Sequence, residues 1–131
     1  MYLLDTSAIL AHYLGEPGAA EVQEILAAKE GYIAAVTWFE LQEKLKNETL
    51  PQEVLAVYAR AVAGIVDITL EVADAAFELR KAASARIPAA DALIAGAARV
   101  RGYELVHRDA HLASIPTALL KQRMLASKKR Q

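Results

Sequence analysis

The chain opens on a short apolar run, Tyr2-Leu3-Leu4, that leads without a spacer into Asp5-Thr6-Ser7 and then Ala8-Ile9-Leu10-Ala11. Three apolar residues with no polar alternation read as a strand buried on both faces, and the Asp, Thr and Ser that follow are helix-capping types. A buried strand passing straight into a helix is the start of a parallel α/β sheet. In such sheets the carboxyl ends of the strands share one edge with the amino ends of the following helices, and ligands bind there. Asp5 stands at that edge. Taken alone, an Asp at this junction is explained by capping, so a chemical role requires partners delivered to the same place.

The rest of the chain repeats the alternation. A first helix ends near Gly15-Glu16-Pro17-Gly18, and a second runs from Ala19 to about Ala28 with Val22, Ile25 and Leu26 on one face. Gly31 stops it, and Tyr32 to Val36 reads as the second strand. Thr37-Trp38-Phe39-Glu40 opens a third helix to about Lys46. Pro51 starts a fourth, forming a helical hairpin with it. Ile65 to Leu70 reads as a third strand at a sheet edge. A helix over 71–84 follows, then one from Pro88 to about Arg101, a strand from Tyr103 to His107, and a turn at Arg108-Asp109-Ala110-His111. The remainder accommodates either a short edge strand within Ile115 to Leu120 or a final helix from Pro116 through Met124 and Leu125. The alternation predicts a three-layer α/β/α domain with a mostly parallel sheet.

At 131 residues and 55% hydrophobic, the chain suits one compact domain over 1–131 with its own core. It has no cysteine, which excludes disulfides, thiolate metal sites and Cys nucleophiles. No apolar run is long enough to span a bilayer, and the first strand begins at residue 2, so neither a membrane span nor a leader is expected and a cytoplasmic protein is. The formal net charge is −1. Lys121, Arg123, Lys128, Lys129 and Arg130 form a basic tail over 121–131 without an acid, which leaves −6 on the first 120 residues. An acidic body of this kind does not hold nucleic acid by charge alone.

Three more acids are directed to the edge that holds Asp5. Glu40 follows the second strand by four residues, although Thr37 and Glu40 also have capping-box spacing. Asp109 follows the fourth strand by two. Asp91 lies in the first turn of a helix that feeds the fourth strand, so that helix runs down the sheet from the carboxyl edge. Its neighbours Ala92, Ala95, Gly96 and Ala98 let it pack closely and leave an acid among apolar residues. Carboxylates gathered within a few ångströms raise one another's pKa unless a cation is shared among them. Oxygen-only ligation favours Mg²⁺ or Mn²⁺, and such a centre suits metal-assisted phosphodiester hydrolysis. Asp5, Asp91 and Asp109 are the expected metal ligands. Glu40 either binds through water or helps to activate the attacking water.

These segments resemble the PIN-domain family, specifically the VapC-like ribonuclease toxins of toxin–antitoxin pairs. Leu3-Leu4-Asp5-Thr6-Ser7 is similar to the family's opening motif and Thr37-Trp38-Phe39-Glu40-Leu41 to its second acidic segment. Pro88 to Ala95 is similar to its third, and Leu105-Val106-His107-Arg108-Asp109 to its fourth. The resemblance implies an α/β/α fold with strand order 3-2-1-4-5 and a Mg²⁺- or Mn²⁺-dependent endoribonuclease whose acidic site is Asp5, Glu40, Asp91 and Asp109. It also implies inhibition by a small antitoxin protein, and a homodimer. Family members commonly carry Thr or Ser where His107 stands; a hydrogen-bonding or core role suits His107 better than ligation.

Ser7 and Thr6 are supporting candidates through their hydroxyls, and Arg86, Arg108 and His111 are candidates for RNA phosphate contact. Core packing is expected of Leu14 and Phe39, while Trp38 is placed to serve a partner or stack on a base. Two other classes stand beside the enzyme. One is a catalytically inactive PIN-like module that binds RNA or protein. The other is a phosphoacceptor domain, which would ordinarily need paired acids after the first strand.

Overall fold

In the computed structural model, which describes residues 1–48 and 51–127, five strands form one sheet in the order β3-β2-β1-β4-β5 with every pairing parallel. The strands are β1 (Tyr2–Leu4), β2 (Gly31–Ala34), β3 (Gly64–Val66), β4 (Glu104–His107) and β5 (Gln122–Met124). The helices are α1 (Thr6–Leu14), α2 (Ala19–Ala27), α3 (Ala35–Leu45), α4 (Pro51–Ala61), α5 (Leu70–Ala82), α6 (Ala89–Arg101) and α7 (Ala110–Ala113). None of the described helices is long and apolar enough to cross a membrane.

Alternation along the central strands divides the core into two layers. Leu3 and Leu105 face one way, where Val72, Ala76 and Leu79 of α5 and Ile94, Ala95 and Ala98 of α6 are buried against them. Leu4, Ile33 and Val106 face the other way and are covered by Ile9, Val22, Ile25, Leu41 and Tyr58 from the first four helices. Both sheet faces are closed, as short apolar parallel strands require. Gly102, at φ 71°, ends α6 in the left-handed conformation and turns the chain into β4.

The α5–α6 contact is set by the small residues of α6. A Cβ at Gly96 would lie 2.6 Å from the Val72 carbonyl oxygen and 2.9 Å from the Ala76 nitrogen, so the two backbones meet with no side chain between them. This close packing fixes where α6 begins, and its third residue is Asp91.

The second, third and fifth strands depart most from the sequence expectation. The second strand ends at Ala34 rather than Val36, and α3 starts two residues before Thr37. The N-cap is Ala34 with no side-chain cap, so Thr37 and Glu40 are not a capping box. Thr37 is fully buried inside the helix, held by a tertiary contact to Thr6, and Glu40 lies in the second turn. The third strand is shorter than Ile65 to Leu70, because the Thr69 hydroxyl accepts from Val72 N–H and caps α5. The fifth strand is neither within 115–120 nor replaced by a helix: residues 117–119 form a turn and Gln122–Met124 pairs with β4. This edge strand carries no apolar signal because Arg123 does its packing, lying over the Tyr2 ring and beside Glu104 and Glu21. Of the basic tail, Lys128, Lys129 and Arg130 lie outside the described residues.

Candidate active site

The strand order reverses between β1 and β4, and the crevice beyond their carboxyl ends is where such sheets hold ligands. Asp5 leaves β1 at that point, tied to the neighbouring strand by its N–H on the Val106 carbonyl at 2.9 Å. Its side chain caps α1. Oδ2 accepts from the Ser7 N–H at 2.9 Å and the Ser7 hydroxyl at 2.6 Å. Oδ1 is buried and has no hydrogen-bond partner among the described residues. The cap therefore explains half of this carboxylate and leaves the other oxygen unsatisfied. Burial pushes the Asp5 pKa above the ordinary value; the two Ser7 hydrogen bonds oppose the rise, and the charge of Glu40 adds to it.

Asp91 enters from α6, half-buried. Its pKa is pushed up to about 7, first by burial and then by the charges of Asp5, Asp109 and Glu40, with a hydrogen bond to Asp109 adding to the effect. Each of the other three acids thus acts electrostatically on Asp91. Glu40 reaches the group from α3, where its Oε1 accepts from the Thr6 hydroxyl at 2.5 Å. Thr37 Oγ1 lies 3.1 Å from the same hydroxyl oxygen and braces it from below. Asp109 caps α7, its Oδ1 accepting from His111 N–H at 2.8 Å with His111 Nδ1 at 3.2 Å.

Four segments therefore bring their acids to one edge. Even so, among the described residues no three or more His, Cys, Asp or Glu side chains form a ready-made metal cage. The arrangement is an open one, with carboxylates close enough to repel but not closed around a common point.

The supporting residues divide by what they touch. Ser7 both orients Asp5 and accepts the Arg108 N–H at 2.9 Å, joining the ends of β1 and β4. Thr6 orients Glu40. His107 is fully buried. Its Nδ1 accepts from Asp109 N–H at 3.0 Å, so Nε2 carries the proton and meets Gln122 Oε1 at 2.8 Å. The Gln122 amide in turn donates to the Ile115 carbonyl. Both ring nitrogens are engaged, which leaves His107 no lone pair for a metal; it holds the backbone of Asp109 instead.

Arg86 is exposed between α5 and α6, and His111 is exposed beside Asp109. Arg108 does not point to solvent but pairs with Glu16 at 2.7 Å. Leu14 and Phe39, expected in the core, are 57% and 63% exposed, whereas Trp38 packs against the core on the α1–α4 side. The amphipathic pattern of α3 is carried by Leu41 and Leu45, and Phe39 falls on its outer face. Glu16, Thr37 and Gln122 are the site-supporting residues that sequence reasoning did not assign to this role. Their partners are 92, 31 and 15 residues away, and no local pattern marks such pairs.

The PIN domain family model matches residues 2–117. The chain belongs to the PIN domain family. Comparison with curated protein sequences gives no match. Among solved structures, the fold is similar to that in VapBC2 from Rickettsia felis bound to a DNA fragment from their promoter, at TM-score 0.76 and 20% identity over 95% of this chain and 98% of that one. It is similar to that in a toxin–antitoxin complex from Klebsiella pneumoniae, at TM-score 0.72 and 24% identity over 88% and 93%. DNA-bound VapBC from Salmonella typhimurium gives 0.71 and 21% over 93% and 96%.

Proposed function

We propose that this PIN domain is a Mg²⁺- or Mn²⁺-dependent endoribonuclease, the toxin of a toxin–antitoxin pair. The observation that carries the reading is Asp5 Oδ1, a buried carboxylate oxygen without a donor among the described residues, beside an Asp91 whose pKa is pushed up to about 7 by burial and by its acidic neighbours. A cation answers both. The donors are all oxygens, as Mg²⁺ and Mn²⁺ prefer, and an open arrangement suits an ion that retains several waters and uses one or two carboxylates. Asp5 and Asp91 would hold it directly, and Asp109 and Glu40 directly or through water. When bound, such an ion lowers the pKa of a coordinated water and offsets charge on the phosphate.

The chain's own residues supply the rest. Ser7 fixes one oxygen of Asp5, leaving the other free. Thr6 fixes Oε1 of Glu40, leaving Oε2 to take a proton from water as its oxygen attacks phosphorus. The P–O bond to the leaving oxygen breaks, and that oxygen takes a proton from solvent. One phosphodiester and one water give a phosphomonoester and an alcohol.

Family membership and the toxin–antitoxin assemblies among the structural relatives support the biological role. A small antitoxin and a second copy of the chain are the proposed protein partners, with the exposed Leu14 and Phe39 as apolar surface for either. One domain over 1–131 acting in the cytoplasm is part of the same proposal. The test is cleavage of a panel of transfer, ribosomal and messenger RNAs by purified protein. Cleavage that requires Mn²⁺ or Mg²⁺ and stops with a chelator is expected. RNA binding without cleavage under any divalent ion would identify an inactive module instead.

A further inference from the structure

From the sequence Arg108 reads as a solvated cation and a candidate for RNA phosphate contact, whereas the structure turns it inwards. Arg108 Nη2 meets Glu16 Oε1 at 2.7 Å, with side chains only 12% and 20% exposed. Glu16 lies just beyond the C-terminal end of α1, where Gly15 at φ 65° bends the chain and Glu16 N–H bonds the Ala11 carbonyl. The Arg108 backbone is at the opposite end of α1, giving its N–H to Ser7 Oγ at 2.9 Å. A helix of this length spans about 13 Å. One residue therefore grips α1 at both ends, its main chain at the start and its guanidinium past the finish.

The main-chain end of that grip leads to two carboxylates of the site. Ser7 Oγ passes the contact to Asp5 Oδ2 at 2.6 Å, and Asp109 is the next residue after Arg108. The pair is poorly built for stability alone, since it takes two charges out of water and leaves Arg108 Nη1 buried with no hydrogen-bond partner among the described residues. We infer that Arg108 is a positioning residue: its buried pair with Glu16 holds the backbone that leads into Asp109 and, through Ser7, the Asp5 carboxylate, so that both acids are kept available to a shared divalent cation. This rests on the metal-dependent nuclease reading above.

The discriminating variant is Glu16→Gln in the full-length protein, because it releases the guanidinium while keeping its charge. Mn²⁺ affinity by calorimetry is expected to fall about 10- to 100-fold, the range seen when groups that orient metal ligands are lost. The kcat on RNA should fall with it, with KM and the salt dependence of RNA binding unchanged. The Glu16→Gln/Arg108→Gln double variant leaves no lone buried charge and should show the same loss with a native circular dichroism spectrum. The role is overturned if Glu16→Gln binds Mn²⁺ as the parent does, or if Arg108→Gln acts by raising KM and lowering the salt slope by about one, as loss of a phosphate contact would. A parent that neither binds Mn²⁺ nor cleaves RNA removes the nuclease reading and this role together, whereas a parent that binds with an unaffected Glu16→Gln removes this role alone.

Discussion

Asp5→Asn is expected to lower metal-dependent RNA cleavage by more than about 100-fold, since it removes a proposed ligand rather than a group that merely orients one. The fold should survive. The Asn carbonyl can accept both Ser7 hydrogen bonds in place of Oδ2, and the amide takes the buried Oδ1 position without a charge. In the absence of metal the variant should melt at or above the temperature of the parent at pH 8, because a costly buried carboxylate has gone.

The pH dependence of the metal-free protein follows from the same cause. Asp91, raised from 3.8 to about 7, binds its proton more tightly in the folded chain than in the unfolded one. Between those values the folded state carries more protons, so stability is greatest at the acid end of the window and is lost as pH rises towards 7. Solvent access to the half-buried carboxyl reduces the size of the effect. Asp91→Asn should flatten that part of the melting-temperature profile, and Mn²⁺ should stabilise the parent more at pH 8 than at pH 5. Thermal melts across pH, paired with single-turnover cleavage, check both statements. An Asp5→Asn protein that cleaves like the parent would assign the activity to another site.

The second large effect is structural. Gly96→Ala should destabilise the protein by about 2 kcal/mol, the balance between overpacking of up to about 3 and a helix-propensity gain of up to about 1. The clash wins because the atoms that Cβ would meet are the Val72 carbonyl and the Ala76 nitrogen, main-chain atoms that cannot rotate away. The helices must separate by several tenths of an ångström. Because Asp91 rides on α6, Gly96→Ala should also weaken Mn²⁺ binding, although the atoms nearest the added Cβ belong to Val72 and Ala76. Chemical denaturation with calorimetry on the surviving folded protein measures both; a more stable variant would mean that α5 and α6 are not in this contact.

The parts of this architecture that were legible in the sequence are those governed by local patterns. Tyr2 to Leu4, the run that begins at Tyr32 and the Leu105-Val106 pair carry apolar residues bounded by turn or capping residues, so three strands are found although the second is read two residues too long, and the direction of α6 followed from its feeding β4. Those two facts already place Asp5, Asp91 and Asp109 at one edge. What escaped was held by contacts distant in sequence. Thr37 reads as a cap but is drawn into α3 by Thr6, and β5 pairs through a polar segment whose Gln122 answers a buried His107. Arg108 reads as a surface cation until Glu16, on the far side of α1, is seen to meet it. Phe39 and Leu14 read as core because they are apolar, yet each lies on the outer face of its helix.

A crystal soaked with manganese and measured for anomalous scattering tests the central idea most directly, since it reports where a divalent ion sits without reference to any RNA. The expected result is a peak at the carboxyl edge of β1 and β4 with Asp5 Oδ1 among its ligands and Asp91 beside it. No peak at that edge at saturating Mn²⁺ and pH 8, with the four acids arranged as described, would contradict a shared cation and with it the proposed chemistry.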